Sequence, residues 1–326
     1  MKSVVAALVL ALCVVGPVVA REPAGAPATP DDTYIPPRTP AQAAFEQKKL
    51  GMVANIESYS RTSAAPVSGS HSGSTLVVCE ADCGGGGGGG TPAPTDPPPD
   101  DGPAPSGDPT DVTPGSGTTG GTTGYYPPSS TVVLRVRARH QSTNFWCGPA
   151  SGQVVINYSR GYVYDSLNGD STATNWKTQA TIATWMKTNQ DTGTLGSNIA
   201  AALNRPDAVL KPVTEWSYLY ARNDDGADMH AKVVADVDQF AMPVLIAVKP
   251  HKTDAVYWLP SWPREAGGAK HWIVIYGYDG LWDGSDGPIV YYAESAGNGS
   301  KNPGLYTVSS LTMWKVNQYN ASTIVW

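Results

Sequence analysis

The Gly- and Pro-rich tract from Gly84 to Ser130 most constrains what this chain can fold into, because it cannot contribute to a packed core. Gly84–Gly90 is an unbroken glycine run, and 30 of the 40 residues at 91–130 are Pro, Gly, Thr or Ser. Such a composition is typical of a flexible linker. All ten Trp and 24 of the 29 aromatic residues of the 326-residue chain follow this tract. We therefore expect one domain at residues 131–326, long enough to remove about 70% of its unfolded surface from water.

Charge is divided at the same boundary. Residues 131–326 contain 16 Lys and Arg and 16 Asp and Glu, so the net charge of −6 arises before Thr131. A domain with balanced charge and no basic stripe lacks the electrostatic footprint of a nucleic-acid-binding protein. The sequence therefore predicts no nucleic-acid partner.

Residues 1–20 have the pattern of a bacterial-type export signal. Lys2 precedes an apolar run from Val4 to Ala20, which is broken by Gly16-Pro17 and closes on small residues. The Gly-Pro break argues against a transmembrane helix, which needs about 20 uninterrupted apolar residues. We expect a secreted, extracellular protein with no integral membrane segment after signal removal.

Residues 21–130 are expected to be a low-complexity pro-segment or linker that is largely disordered. Within them, Ala41–Tyr59 is rich in helix-forming residues and favours a short helix that is interrupted at Gly51. Two roles remain open for this region. It is either a pro-segment that covers the active site until it is removed, or a spacer that crosses a cell wall.

Three cysteines remain once the signal sequence with Cys13 is removed. The spacing of Cys79 and Cys83 allows a local disulfide, or alternatively half of a metal site, but no second Cys or His pair lies near enough to complete a zinc tetrad. Cys147 is then left unpaired in an oxidising compartment. It is either a small buried hydrophobic residue or a catalytic nucleophile.

The patterns after Thr131 predict helices in the first half and strands in the second. Such segregation indicates an α+β fold. The expected helices begin near Cys147 and cover 175–187, 197–204 and 228–240, and the expected strands cover 131–139, 243–248, 271–278 and 289–293.

Cys147 stands at the start of its predicted helix, where unpaired backbone N–H groups favour a thiolate. A nucleophilic thiol also needs a base, and His271 begins an apolar strand directly after a flexible Gly-Gly-Ala segment. The remaining histidines are expected at the surface or in loops: His71, His140, His230 and His251.

The strand that follows the predicted hairpin brings Glu294 back toward His271, where its carboxylate can orient the imidazole. Asp279 lies roughly 26 Å along the strand from His271 and is assigned to the hairpin turn instead. Asn298 is an alternative orienting residue if the chain folds back after Glu294.

Three segments together resemble the bacteriocin-processing-like, or double-glycine leader peptidase-like, cysteine peptidases of the papain-like superfamily. They are Gln141–Ser151 (QSTNFWCGPAS), Pro243–Val248 (PVLIAV) and His271–Gly280 (HWIVIYGYDG). The resemblance covers residues 131–326. It implies a papain-like fold in which a helical half that carries the Cys helix packs on an antiparallel sheet that carries the His.

The same resemblance implies four catalytic roles. Cys147 would be the nucleophile, His271 the general base and Gln141 an oxyanion-hole donor, with Glu294 where an Asp is usual. Physical reasoning supports Gln141 independently, because acyl transfer builds negative charge on the carbonyl oxygen and an amide donor beside the Cys147 N–H would face it.

The loop from Pro250 to Lys270 is longer than most ordered connections and contains Trp258 and Trp262. These side chains either form aromatic subsites for a peptide or pack inward as a satellite core. The sequence does not decide between the two.

The sequence therefore favours a secreted cysteine peptidase that acts on peptide or protein substrates, including cell-wall peptides, through a Cys147 thioester acyl-enzyme. One alternative is a cell-wall amidase or peptidoglycan endopeptidase with the same thiol chemistry. Another is a catalytically inactive papain-like binding module. None of these three functions requires a cofactor or a metal ion.

Overall fold

The computed structural model describes residues 35–63, 128–161, 177–250, 258–262, 269–296 and 303–326. The predicted export signal, Cys79, Cys83 and Asn298 lie outside these ranges, as do His71 and His251. None of the helices within the described ranges combines the length and apolarity needed to cross a membrane.

A seven-stranded antiparallel sheet forms the centre of the domain. Its strands are β1 (Thr131–Val133), β2 (Tyr220–Arg222), β3 (Val244–Val248), β4 (His271–Asp279), β5 (Ile289–Glu294), β6 (Gly304–Ser309) and β7 (Thr323–Val325). The order is β2-β7-β3-β4-β5-β6, with β1 paired to β4 at its Asp279 end.

Six helices occur in the described part of the chain. They are α1 (Pro40–Ser63), α2 (Cys147–Ser159), α3 (Gln179–Trp185), α4 (Gly196–Leu203), α5 (Gly226–Gln239) and α6 (Ser310–Gln318). The expected α+β fold is confirmed, with helices α2 to α4 before the long strands and an antiparallel sheet after them.

The central strands are buried along almost their whole length. All five residues of β3 and the first eight of β4 are buried. Burial of consecutive residues means that both faces of the sheet are covered, since successive side chains point to opposite faces. Helices α2 and α5 both pack against β3 and β4. The start of β4 is therefore held inside the domain rather than at an open edge.

Several element boundaries differ from the expectation. The strand predicted over 131–139 ends at Val133, and only the N–H of Leu134 continues the pairing, to the carbonyl of Tyr276. The helix predicted from residue 175 begins at Gln179, because the Thr178 hydroxyl caps it by accepting from the Thr181 N–H. The short strands β2 and β7 went unpredicted, since three residues are too few to show a period.

Helix α1 lies within residues 21–130 yet packs against α5. It continues for 24 residues without the expected interruption at Gly51, which faces open space and is tolerated there. Phe45, Val53 and Ile56 anchor the helix through buried side chains. This part of the predicted pro-segment or linker therefore has a defined, packed structure.

A buried ion pair joins α1 to α5. The Lys49 ammonium lies 2.7 and 3.0 Å from the two carboxylate oxygens of Asp236, and both side chains are fully buried. Burial lowers the pKa of Lys49 and raises the pKa of Asp236, and each partner opposes the shift of the other. Four aromatic rings lie within 4.8–5.9 Å of the ammonium: Phe45, Trp216, Phe240 and Trp326.

The second half of α1 lies far from His271. Ile56 lines a small cavity together with His230, and His230 contacts the ring of Tyr278 and the carbonyl of Gly280. Tyr278 is seven residues along β4 from His271, a separation of about 23 Å in a straight strand. This half of α1 is therefore at the opposite end of the strand from His271.

Candidate active site

Cys147 is the first residue of α2 and is half-buried. The following residue has to be small. A Cβ on Gly148 would come within 2.5 Å of the Thr194 hydroxyl oxygen, so only glycine lets the helix start approach the segment before α4 this closely. The first turn of α2 is thereby fixed against its neighbours, and the thiol is fixed with it.

The imidazole of His271 is hydrogen-bonded to Cys147, and His271 itself is only 4% exposed. The neighbouring residue explains how the two elements are held together. Ser151 on α2 donates to the carbonyl of Trp272 at 2.9 Å, and the Trp272 indole donates to the carbonyl of Thr194 at 3.0 Å. These bonds lock the start of β4 against the helix that carries the thiol.

Glu294 is the last residue of β5, and its carboxylate hydrogen-bonds to Nε2 of His271. The hairpin register brings it there, since Ala293 pairs with Val274. The Nε2 contact leaves the other ring nitrogen of His271 for Cys147. The structure thus brings together three of the four residues in one hydrogen-bonded chain.

The Glu294 side chain is fully buried and accepts three further hydrogen bonds. Oε1 accepts from the backbone N–H groups of Ser295 and Ala296, each at 2.8 Å, and Oε2 accepts from the Ser261 hydroxyl at 3.1 Å. The backbone contacts turn the longer Glu side chain back toward its own strand end. This explains how a glutamate reaches the imidazole in a place where an aspartate is usual.

Residues 258–262 cover the His271–Glu294 pair. The Tyr292 hydroxyl donates to Ser261 at 2.9 Å, and Ser261 in turn donates to Glu294. The Trp262 ring is buried, with its centroid 5.0 Å from that of His271. Of the two roles considered for the tryptophans of this loop, Trp262 has the inward-packing one. Sequence reasoning missed Ser261, because its contact joins residues 33 positions apart across a loop.

The surroundings of Cys147 and His271 favour the charged form of both side chains. Burial raises the pKa of the Cys147 thiol, but the hydrogen bond and the charge of His271, with smaller contributions from the backbone of Trp272 and Gly148, bring it below its ordinary value. Burial lowers the pKa of His271, but the charge of Glu294 and hydrogen bonds to Cys147 and Glu294 raise it to about 10. The arrangement supports a thiolate beside an imidazolium.

Gln141 lies on the loop that leads into α2 and is tied to the segment after β5. Its backbone N–H donates to the carbonyl of Ser295 at 2.8 Å. Its side-chain oxygen Oε1 is buried and has no hydrogen-bond partner among the described residues. The backbone of Gln141 is therefore held next to the residue that follows Glu294, whereas its amide oxygen makes no contact that would hold the side chain.

Among the other described candidates, His230 has different surroundings from those expected, whereas Asp279 lies at the start of the β4–β5 hairpin as assigned. His230 was expected at the surface but is fully buried, with its ring nitrogens 2.9 Å from the Ser310 hydroxyl and 3.1 Å from the Gly280 carbonyl. Burial lowers the pKa of His230 to about 4, so it packs as a neutral side chain. Asp279, assigned to the hairpin turn, accepts a hydrogen bond from the Thr131 hydroxyl at the far end of β4.

Across the residues that the structure describes, no group of three or more His, Cys, Asp or Glu side chains is arranged to hold a metal ion. The chemistry available at this site is that of the thiol, the imidazole and the carboxylate. A thiolate next to an imidazolium can attack a carbonyl carbon and supply a proton to the leaving group.

Comparison with protein-family models gives a match. Residues 133–321 match the model of the Peptidase C39 like family. This range contains all four candidate residues and excludes α1. No protein with a curated description matches the chain.

Proposed function

The chain belongs to the Peptidase C39 like family, which makes it a cysteine peptidase of the papain-like type, and from that premise we propose a secreted enzyme that hydrolyses peptide bonds through a thioester acyl-enzyme on Cys147. The observation that carries the proposal is the hydrogen-bonded chain from Cys147 through His271 to Glu294. It supplies a nucleophile, a proton carrier and a group that orients the carrier.

The reaction runs in two steps. The Cys147 thiolate attacks the carbonyl carbon, the new S–C bond forms, and the carbonyl oxygen takes the negative charge. As the oxyanion collapses, the C–N bond breaks and the His271 imidazolium gives its proton to the leaving amine. His271 then acts as general base toward water, which attacks the thioester and releases the acid product and the thiolate.

Glu294 orients His271 in this scheme and stabilises the imidazolium. This role is supported by the three hydrogen-bond donors around the Glu294 carboxylate, which leave the side chain little conformational freedom. The amide of Gln141 and the backbone N–H of Cys147 are assigned to the oxyanion. Each such donor accounts for about 10²–10³-fold in rate in enzymes of this chemistry.

Export to the cell exterior is supported by the apolar run from Val4 to Ala20. The spacer-like composition of residues 84–130 favours cell-wall peptides as a second substrate class, which would make the enzyme an amidase or endopeptidase of peptidoglycan. Digestion of isolated muropeptides separates the two. Release of new amino groups from muropeptides but not from a denatured protein identifies the wall enzyme.

The thiolate is tested without knowledge of the substrate. The protein lacking residues 1–20 is reduced and labelled with iodoacetamide from pH 4 to pH 9, and the modification of Cys147 is followed by peptide mass. Cys79 and Cys83 serve as ordinary thiols in the same sample. We expect Cys147 to react fast below pH 7, and His271→Ala to move its labelling to the range of the other two thiols.

Labelling of Cys147 only above about pH 8, the range of an ordinary thiol, or no labelling at all, would refute the catalytic proposal. The binding-module alternative would then apply. In that case Cys147→Ala should keep any affinity for peptide, since there would be no activity to lose.

A further inference from the structure

We propose that Gln179 is a positioning residue for the oxyanion hole: its side-chain amide forms hydrogen bonds with the backbone on both sides of Gln141. This inference rests on the function proposed above. Gln179 is the first residue of α3 and has no sequence feature that marks it as functional.

The two hydrogen bonds are formed with the residues directly before and after Gln141. The Ser142 N–H donates to Oε1 of Gln179 at 2.9 Å, and Nε2 of Gln179 donates to the His140 carbonyl at 2.6 Å. A primary amide offers a donor and an acceptor in one plane, so it pairs with a backbone segment much as a neighbouring strand does. The two bonds restrict the backbone dihedral angles of Gln141 from both sides.

The amide of Gln179 is itself held in place. Its side chain is buried, with the residue 7% exposed, and its Nε2 also donates to Oε1 of Gln153 at 3.1 Å. Gln153 lies on α2, the helix that begins at Cys147, and its own Nε2 donates to the Lys177 carbonyl at 2.9 Å. An unbroken chain of hydrogen bonds therefore links the nucleophile helix to the loop that carries Gln141.

The position of the Gln141 amide depends on these backbone hydrogen bonds, because its own side-chain oxygen is buried and has no hydrogen-bond partner among the described residues. The Gln141 N–H bond to the Ser295 carbonyl holds one further backbone atom. Misplacement of a catalytic donor by about 1 Å costs on the order of 10²-fold in rate.

The test compares two reactions of the same thiol. A peptide aldehyde adds the Cys147 thiol across its carbonyl: the S–C bond forms, the C=O π bond opens, and the proton moves to the oxygen, which then occupies the oxyanion position. Iodoacetamide alkylates the same sulfur by displacement of iodide and places no oxygen there. Aldehyde affinity is measured as protection of Cys147 from iodoacetamide.

Gln179→Met keeps the length and burial of the side chain and removes both bonds to the backbone around Gln141, together with the bond to Gln153. We expect at least a 10-fold loss of aldehyde affinity and less than a two-fold change in the iodoacetamide rate at pH 6. Gln141→Ala should show the same pattern. The double variant should lose no more aldehyde affinity than Gln141→Ala alone, because both substitutions act through the same Gln141 donor.

Gln179→Glu is the second variant: it keeps the acceptor for the Ser142 N–H but places a carboxylate oxygen against the His140 carbonyl and Oε1 of Gln153. Because these oxygens repel each other, its loss of aldehyde affinity should be at least as large as that of Gln179→Met. Equal aldehyde affinity in wild type and Gln179→Met, or equal losses in both reactions, would overturn the inference, since a purely structural role affects the thiol as a whole. Failure of both variants to fold would overturn it for the same reason.

The outcomes are distinct from those of the proposed function. A wild-type Cys147 that does not react below pH 7 removes the catalytic proposal itself. A reactive, aldehyde-protected wild type with an unaffected Gln179→Met removes only the role of Gln179.

Discussion

Removal of the Lys49 charge should strongly lower the stability of the domain at neutral pH, although Lys49 lies outside the residues that match the family. Lys49→Met keeps most of the side-chain volume and leaves the Asp236 carboxylate fully buried without its cation. Loss of one partner of a buried ion pair typically costs about 3–5 kcal/mol. At about 2–4 °C per kcal/mol for a domain of this size, the midpoint of thermal unfolding should fall by roughly 6–20 °C.

The pH dependence of this loss has a definite sign. Burial raises the pKa of Asp236, and in the variant the ammonium that opposes this shift is gone. The folded state then binds a proton that the unfolded state releases above about pH 3.9. The free energy of unfolding of the variant, relative to wild type, therefore falls as the pH rises above about 4, and it recovers as the pH is lowered.

Urea unfolding followed by Trp fluorescence measures this effect, because Trp216 and Trp326 lie beside Lys49. Lys48→Met is the matched control, since Lys48 forms an exposed pair with Glu215 at 3.6 Å and its loss should cost less than about 1 kcal/mol. Lys49→Met/Asp236→Asn should lose only about 1–3 kcal/mol, the cost of a buried amide with unmade hydrogen bonds, and should lose the pH dependence. Equal stability of Lys49→Met and Lys48→Met at pH 7 would refute the packing of α1 on α5.

Three further predictions have measurable outcomes. Glu294→Gln removes the main influence that raises the pKa of His271, so the imidazolium should lose its proton at lower pH. The pH at which iodoacetamide labels Cys147 should then rise toward about 8.5. An unchanged labelling profile would mean that the carboxylate has only a structural role. Ser261→Ala removes one donor to Glu294 and should lower kcat/KM by about 3–10-fold, with Ser261→Thr restoring most of it; equal rates in all three forms would exclude the contact. Gly148→Ala should destabilise the domain by more than about 1 kcal/mol, because its Cβ would come within 2.5 Å of a threonine hydroxyl, whereas Gly51→Ala should stabilise helix α1 by about 0.5–1 kcal/mol; calorimetry that gives both the same sign contradicts this.

Local patterns were sufficient for part of the site. The helix that begins at Cys147 is encoded by Gly-Pro in its first turn and apolar residues at helical spacing, and the observed helix starts at that residue. The strand that begins at His271 is an apolar run after Gly-Gly-Ala, and it too starts where expected. Both features depend on neighbours within a few residues. The sequence could therefore place a thiol at a helix start and an imidazole at a strand start.

Helix α1 shows where local patterns mislead. Its apolar residues have mixed spacing, and Gly51 suggested an interruption, but tertiary contacts with α5 override both signals. Lys49 would be assigned to the surface by any rule of composition. It is buried because Asp236, 187 residues later, supplies the opposite charge.

The sequence alone determined which residue types are available for catalysis and on which elements they stand. Only the tertiary structure decided which of them meet: Glu294 with His271, Ser261 with Glu294, and Gln179 with the backbone around Gln141. These contacts join residues 23 to 39 positions apart and depend on hairpin register, loop packing and the docking of α3 on α2. Secondary-structure periodicity specifies the direction of a side chain on its own element, and the partner that it meets depends on how the elements pack together.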